Sequence, residues 1–288
     1  MPNRLRHHLA GPLLILHRLK AAAVGSGGFR ILLLHDVPPT DREAFADVVG
    51  HVRRHHGVLS PDEAAAWLDG HPRIAIRRGR PPCLFSFDDG FASNAEVARD
   101  ILTPAGIAGL FFVCPGLIDL TPQDQPAAVA AGIFDGRIDG AELDRRLRLM
   151  TWNEVEALAV SGHTIGAHSL THRRLSRLRG GTLAHEILDS GARIETRLGT
   201  PVTWFAYPFG DIDSIDAETM RIIAGRYRFC RSGVRGANGR TTHPLALRGD
   251  HIDLTAPSAW QRLTLEGGLD GRYRAARRRL DDLADKSL

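Results

Sequence analysis

The strongest constraint on this chain is a recurring pattern of short, continuously apolar runs separated by stretches of helical periodicity. The runs are Phe29 to His35, Pro82 to Phe87, Leu110 to Val113, His163 to Ala167, Thr203 to Tyr207, Arg228 to Arg231 and Leu245 to Arg248. A run of four to seven apolar residues without alternation suits a strand buried on both faces, as in a parallel sheet. Helix signals fill the gaps. Arg42 to His55 is helical in pattern, and Ser60-Pro61-Asp62-Glu63 supplies an N-cap serine, a proline at the first position and acidic residues in the first turn. Ser93 to Leu102 is closed by Thr103-Pro104, and Thr151-x-x-Glu154 is a capping box. Further helices are expected at Leu183 to Leu198, Asp216 to Gly225 and Leu269 to Ala284. Strand and helix in alternation predict an α/β fold with helices outside a parallel sheet.

Six to seven such strands, with no internal repeat or low-complexity linker, predict a distorted (β/α) barrel, closed or partly closed. Residues 1–28 read as an N-terminal helical extension. Residues 29–288 read as the barrel domain, with an insertion at about 117–150 that is rich in Ala, Gly, Gln and Asp.

In barrels of this kind the chemistry sits at the C-terminal ends of the strands. Four polar groups follow apolar runs here: His35-Asp36, Asp88-Asp89-Gly90, His168 with His172, and Tyr207-Pro208-Phe209-Gly210. Parallel strands would bring all four to one rim. In CLFSFDDGF two adjacent carboxylates follow a buried run, which is costly unless they are paired or bound to a cation. Neighbouring side chains at a strand end diverge, so one can hold a metal while the other faces substrate. The bland alternative is a turn with Asp at its start and Gly after it. In GHTIGAHSLTHRRL, His168 and His172 are spaced as i and i+4 on one helical turn, which would put both imidazoles on one side. One carboxylate and two imidazoles leave an open position, as a catalytic zinc requires. His163 falls on the opposite strand face from His168 and reads as structural.

Composition narrows the partners. Of 288 residues 43% are hydrophobic and 24% charged, ordinary for a globular protein, and the net charge is +4. No basic run is interleaved with aromatics, so no nucleic-acid partner is expected. Three cysteines, Cys83, Cys114 and Cys230, lie in apolar stretches without a C-x-x-C pair and read as buried thiols. The apolar segment Leu13 to Leu16 is short for a signal peptide and is followed by His17, Arg18 and Lys20. A cytoplasmic location is therefore expected, with peripheral contact between a basic N-terminal helix and the inner membrane face as an option.

FSFDDG and HSLTH together resemble the first two motifs of the polysaccharide deacetylase family (NodB homology, carbohydrate esterase family 4). The resemblance implies a distorted (β/α) barrel and a divalent metal: zinc first, with Co2+, Ni2+ or Mn2+ as other candidates. It implies Asp88 as general base, with Asp89, His168 and His172 as metal ligands. In the third motif, here WFAYPFGD, Pro208, Phe209 and Gly210 fit, and the Phe209 N–H matches the family's oxyanion donor. Ala206 stands where the family has the arginine that holds its catalytic aspartate. Arg248, at the end of the last expected strand, is the candidate replacement. The late motif, an apolar strand ending in His, is matched by ILLLHD near the N-terminus, as in the permuted exopolysaccharide deacetylases. That makes His35 the general acid, with His251 in RGDHID as competitor.

The function so implied is hydrolysis of an N-acyl group, N-acetyl first, from an amino sugar in a polysaccharide, oligosaccharide or lipid-linked precursor. Alternatives are a deformylase of a lipid-linked sugar, a degenerate relative that binds glycan without cleaving it, and a non-haem iron oxygenase, since two His and one carboxylate also suit iron(II).

Overall fold

A computed structural model describes residues 10–24, 27–71, 80–141, 143 and 147–287. The elements run α1 (Ala10–Val24), β1 (Arg30–Leu34), α2 (Arg42–His55), α3 (Pro61–Leu68), β2 (Cys83–Phe87), α4 (Ala92–Val97), β3 (Leu110–Val113), α5 (Pro115–Ile118), α6 (Gln125–Gly132), α7 (Trp152–Val160), β4 (Thr164–Ala167), α8 (Gly180–Leu198), β5 (Trp204–Ala206), α9 (Ala217–Ala224), β6 (Phe229–Arg231), β7 (Gly249–His251), α10 (Ser258–Leu265) and α11 (Arg274–Asp285). The caps expected from sequence form: Ser60 with Glu63, and Thr151 with Glu154, each make a reciprocal capping box.

All seven strands are parallel and neighbour one another in the order β6-β5-β4-β3-β2-β1-β7. The open edges are then bridged. Leu247, just before β7, pairs in parallel with Arg231 of β6, the Ser232 amide donates to the Leu247 carbonyl at 2.8 Å, and the Leu247 amide donates to Cys230 at 2.9 Å. One bridge at that seam makes a nearly closed, distorted (β/α) barrel.

Side chains alternate between two cores, as strand geometry requires. Ile31, Leu84, Leu110, Phe112, Trp204 and Phe229 fill the barrel interior, where Trp67 of α3 joins them. Leu32, Phe85, Phe111, Phe205 and Cys230 face the helices. Extending the interior parity one step beyond each strand reaches His35, Asp88 and His168; on β6 it reaches Arg231. The rim site is thus a continuation of the pleat that packs the core.

The sequence reading and the structure part at the C-terminal end. The last strand is Gly249–His251, not Leu245 to Arg248, because Pro244–Ala246 is a single 3-10 turn. α10 also lies where no helix was expected. The three cysteines are buried and free. No helix among the described residues is long and apolar enough to cross a membrane.

Candidate active site

Asp88 and Asp89 leave the end of β2 in different directions because the chain turns at once. Asp89 has φ 71° and Gly90 has φ 79°. The only other non-glycine residues with positive φ among those described are Asp135, Ser169, His172 and Phe209. Left-handed backbone costs a bulky residue about 1–3 kcal/mol, and such outliers concentrate at functional sites. Four of these five belong to the rim segments.

The H-x-x-x-H spacing does not act through a helix. Residues after β4 form an irregular loop, wound by the left-handed Ser169 (φ 59°) and His172 (φ 60°). Three polar contacts hold it. The Ser169 hydroxyl accepts from the His172 amide at 3.0 Å; the Thr171 amide and hydroxyl donate to the buried Glu186 carboxylate of α8 at 2.9 and 2.5 Å. A loop of this shape returns His172 to His168 as a helical turn would, with ring centroids 4.9 Å apart.

Asp89, His168 and His172 converge. Asp89 Oδ1 lies 3.5 Å from His168 Nε2 and 3.2 Å from His172 Nε2, and all three residues are buried. Each imidazole has its other nitrogen on a backbone carbonyl: His168 Nδ1 on Ala206 at 2.8 Å and His172 Nδ1 on Gly132 at 3.1 Å. Donation from Nδ1 fixes the tautomer, so both Nε2 atoms present lone pairs toward Asp89, an arrangement typical of metal-ligating histidines. Asp89 Oδ1 is itself buried without a hydrogen bond. Burial pushes the Asp89 carboxyl up; only when the two imidazoles carry protons on Nε2, standing in for a cation, do they outweigh it and hold it well below the usual carboxylate range. Three acceptors facing each other across an orphaned oxygen fit a cation. Tetrahedral zinc bonds of 2.0–2.1 Å put neighbouring donors about 3.3 Å apart, close to the separations here.

Asp88 is held differently. Arg231 Nη2 of β6 donates to its Oδ1, while Oδ2 lies 3.8 Å from His168 Nε2. Arg248, expected from sequence to hold Asp88, does not reach it. Its guanidinium donates to Thr242 at 2.6 Å and to Asp281 of α11 at 2.6 and 2.8 Å. The reason is the shifted last strand: position 248 precedes β7 instead of ending a strand at the rim. Arg231 pairs in register with Ala206, so the guanidinium missing from position 206 is supplied by the adjacent strand.

The remaining rim residues line the same cleft of about 630 Å³, which contains His35, Asp36, Phe209 and His251 together with the two aspartates and two histidines. The Asn94 amide donates to the His35 carbonyl at 2.8 Å, fixing the end of β1. The His35 and His251 rings are 5.5 Å apart. Desolvation around His251, with His35 and Arg235 adding, lowers its pKa to about 4. Phe209 has φ 65°, its ring packs on His172 at 4.9 Å, and the Arg174 guanidinium lies over the ring at 4.3 Å from its centroid. Ile133, Phe134 and Leu147, from the segment between β3 and α7, give the cleft an apolar wall. His163 stays outside it, accepting from the Gly109 amide at 3.0 Å.

Sequence reasoning missed Arg231 and Glu186. Arg231 was within reach, since it ends an apolar run as His35 and Asp88 do. Glu186 sits in a helix with no local sign that its carboxylate braces a loop.

Fold and rim together define a (β/α) barrel whose C-terminal edge carries a paired aspartate beside an Asp–His–His cluster. The polysaccharide deacetylase profile matches residues 76–223, and the chain belongs to that family, whose members deacetylate carbohydrates. Solved structures of similar fold include IcaB from Ammonifex degensii (TM-score 0.63, 20% identity, 85% of this chain and 98% of that one). Another is the Streptococcus pyogenes deacetylase PplD in complex with acetate (TM-score 0.63, 18% identity, 84% and 99%). A third is the deacetylase domain of BpsB from Bordetella bronchiseptica (TM-score 0.61, 18% identity, 80% and 97%). A gellan lyase from a Bacillus species is 32% identical over 115 residues, 37% of this chain but only 4% of that protein's length.

Proposed function

We propose that this protein is a metal-dependent carbohydrate N-deacetylase, removing an acetyl group from an amino sugar in a glycan or a lipid-linked glycan precursor. The observation that carries the reading is the pair of Nε2 lone pairs of His168 and His172 directed at the unpartnered Asp89 Oδ1. These three residues would hold a divalent metal, zinc by their donor set. When bound, it supplies Lewis acidity to the acyl carbonyl and to a water molecule.

The chain's own groups supply the rest. Asp88, with Oδ1 engaged by Arg231, keeps Oδ2 to take a proton from the water. The Phe209 N–H donates to the oxyanion that forms as the amide is attacked. His35 in its protonated form delivers a proton to the departing amine nitrogen. His251 is a poor donor at neutral pH, because its lowered pKa keeps it neutral. The apolar wall of Ile133, Phe134 and Leu147 offers a face for a sugar ring and helps exclude water.

The expected setting is the cytoplasmic side of a membrane. α1 exposes Leu13, Ile15, Leu16 and Leu19, at 43, 63, 50 and 70%, with Arg18 beside them. An apolar helix face suits the headgroup region of a bilayer; α1 packs on α10 with Arg18 paired to Glu266, so this contact would hold the chain at a membrane without seating the cleft on it.

Asp88→Asn tests the assignment. Turnover of an N-acetylated oligosaccharide should fall to background while the metal content is unchanged. Near-normal turnover would remove Asp88 from the reaction.

A further inference from the structure

A second group of potential ligands lies at the other end of the barrel. His51 is in the last turns of α2, His56 is the residue that caps it, and Glu266 caps α10. One donor atom from each lies within 4.8 Å of the others. His56 is 1% exposed and its Nδ1 is 3.1 Å from the Pro81 carbonyl. Donation from Nδ1 leaves a lone pair on Nε2, and that atom is buried with no hydrogen-bond partner. His51 Nε2 is also buried and without a partner. Two orphaned imidazole nitrogens beside a carboxylate 6% exposed are costly unless something binds them.

Glu266 retains capacity for another ligand. Arg18 of α1 donates to Oε2 at 2.8 Å and also to Oε1, which uses one lone pair on each oxygen and leaves one on each. Pro81 precedes the first residue of β2, so this cluster is at the N-terminal rim, opposite the Asp89 cleft. A surface pocket of about 200 Å³ lined by His51, Gln261 and Arg262 gives access.

We infer that His51, His56 and Glu266 form a second divalent-metal site, structural in role and selective for zinc-like ions. Two imidazole nitrogens exclude calcium and magnesium, which take oxygen ligands. Arg262 and Arg18 nearby disfavour any ion held by charge alone, so coordination by nitrogen must supply the affinity. The ion would tie α2 to α10 across more than two hundred residues of chain, next to the seat of α1. It lies outside the cleft and does not depend on the deacetylase reading.

Metal counting tests it. After stripping with chelator and titration with Zn2+, the wild-type chain should take two equivalents. His172→Ala should take one, and adding His56→Ala or Glu266→Gln to it should leave none. The His172→Ala chain should also melt at a higher temperature with Zn2+ than without, a gain that Glu266→Gln removes. If His56→Ala unfolds the chain, Glu266→Gln carries the same readout. A zinc equivalent in His172→Ala that survives both second substitutions overturns the site, as does no zinc at all. If wild type and His172→Ala both bind one equivalent that Glu266→Gln removes, this site stands and the rim reading fails.

Discussion

Arg231, at the end of β6, donates into Asp88, at the end of β2, across 143 residues of sequence. The side chains are 1% and 6% exposed, so each depends on the other for its charge to be tolerated. Removing one member of a buried pair costs about 3–5 kcal/mol. Arg231→Ala should therefore lower stability by several kcal/mol in denaturant titration, and should lower kcat by about a hundredfold or more through loss of Asp88 alignment. Arg248→Ala should lower stability through loss of its Asp281 contact and leave kcat within about threefold. Equal losses of kcat in the two variants would reassign the support of Asp88.

The proton donor can be separated by pH. His251 has a folded pKa of about 4 against an ordinary value of 6.5. The folded state thus resists its protonation, and, since His251 is exposed and solvent screens it, stability should fall only shallowly as pH drops from about 6.5 to 4 and be unaffected by this group above 6.5. His251→Gln should flatten that slope in pH-dependent melting and change kcat by less than about tenfold. His35→Gln should lower kcat by about 10²–10⁴, the usual share of a general acid. The opposite ranking would make His251 the donor.

Gly132, the last residue of α6, connects that helix to the site. Its carbonyl accepts from His172 Nδ1 at 3.1 Å, and a Cβ at this position would meet the Thr171 carbonyl oxygen at 2.6 Å. Gly132→Ala should displace the His172 loop. Losing a contact of this kind typically weakens metal affinity about 10–100-fold, which zinc titration would read directly.

Much of this was legible in advance, and the exceptions have physical causes. Strands such as Cys83–Phe87 are apolar on both faces, so their presence and their parallel packing follow from local sequence. The rim positions His35, Asp88 and His168 follow from strand ends. The conformation of the His172 loop does not, because i, i+4 spacing is satisfied equally by a helix and by a loop with two left-handed residues braced by Glu186. The partner of Asp88 was also hidden. Arg231 lies beside Ala206 because β6 neighbours β5, and the tertiary contact that carries its guanidinium across to Asp88 of β2 has no local signal. The Leu245 to Arg248 run looked like a strand because apolar content does not distinguish a buried 3-10 turn from a short extended segment.

Metal binding should also appear in stability. A ligand that binds only the folded state at about a hundred times its Kd adds about 2.7 kcal/mol. Wild type should therefore lose several degrees of Tm on chelation, and part of that loss should persist when His168 is already replaced by Ala.

The most direct test of the central claim is acetate release from an N-acetylated oligosaccharide by the purified chain, assayed after chelation and again after addition of Zn2+ or Co2+. Release that disappears with the metal and returns with it, and that fails to return in Asp89→Ala, is the predicted result. Acetate release at an undiminished rate from fully metal-free protein would contradict it.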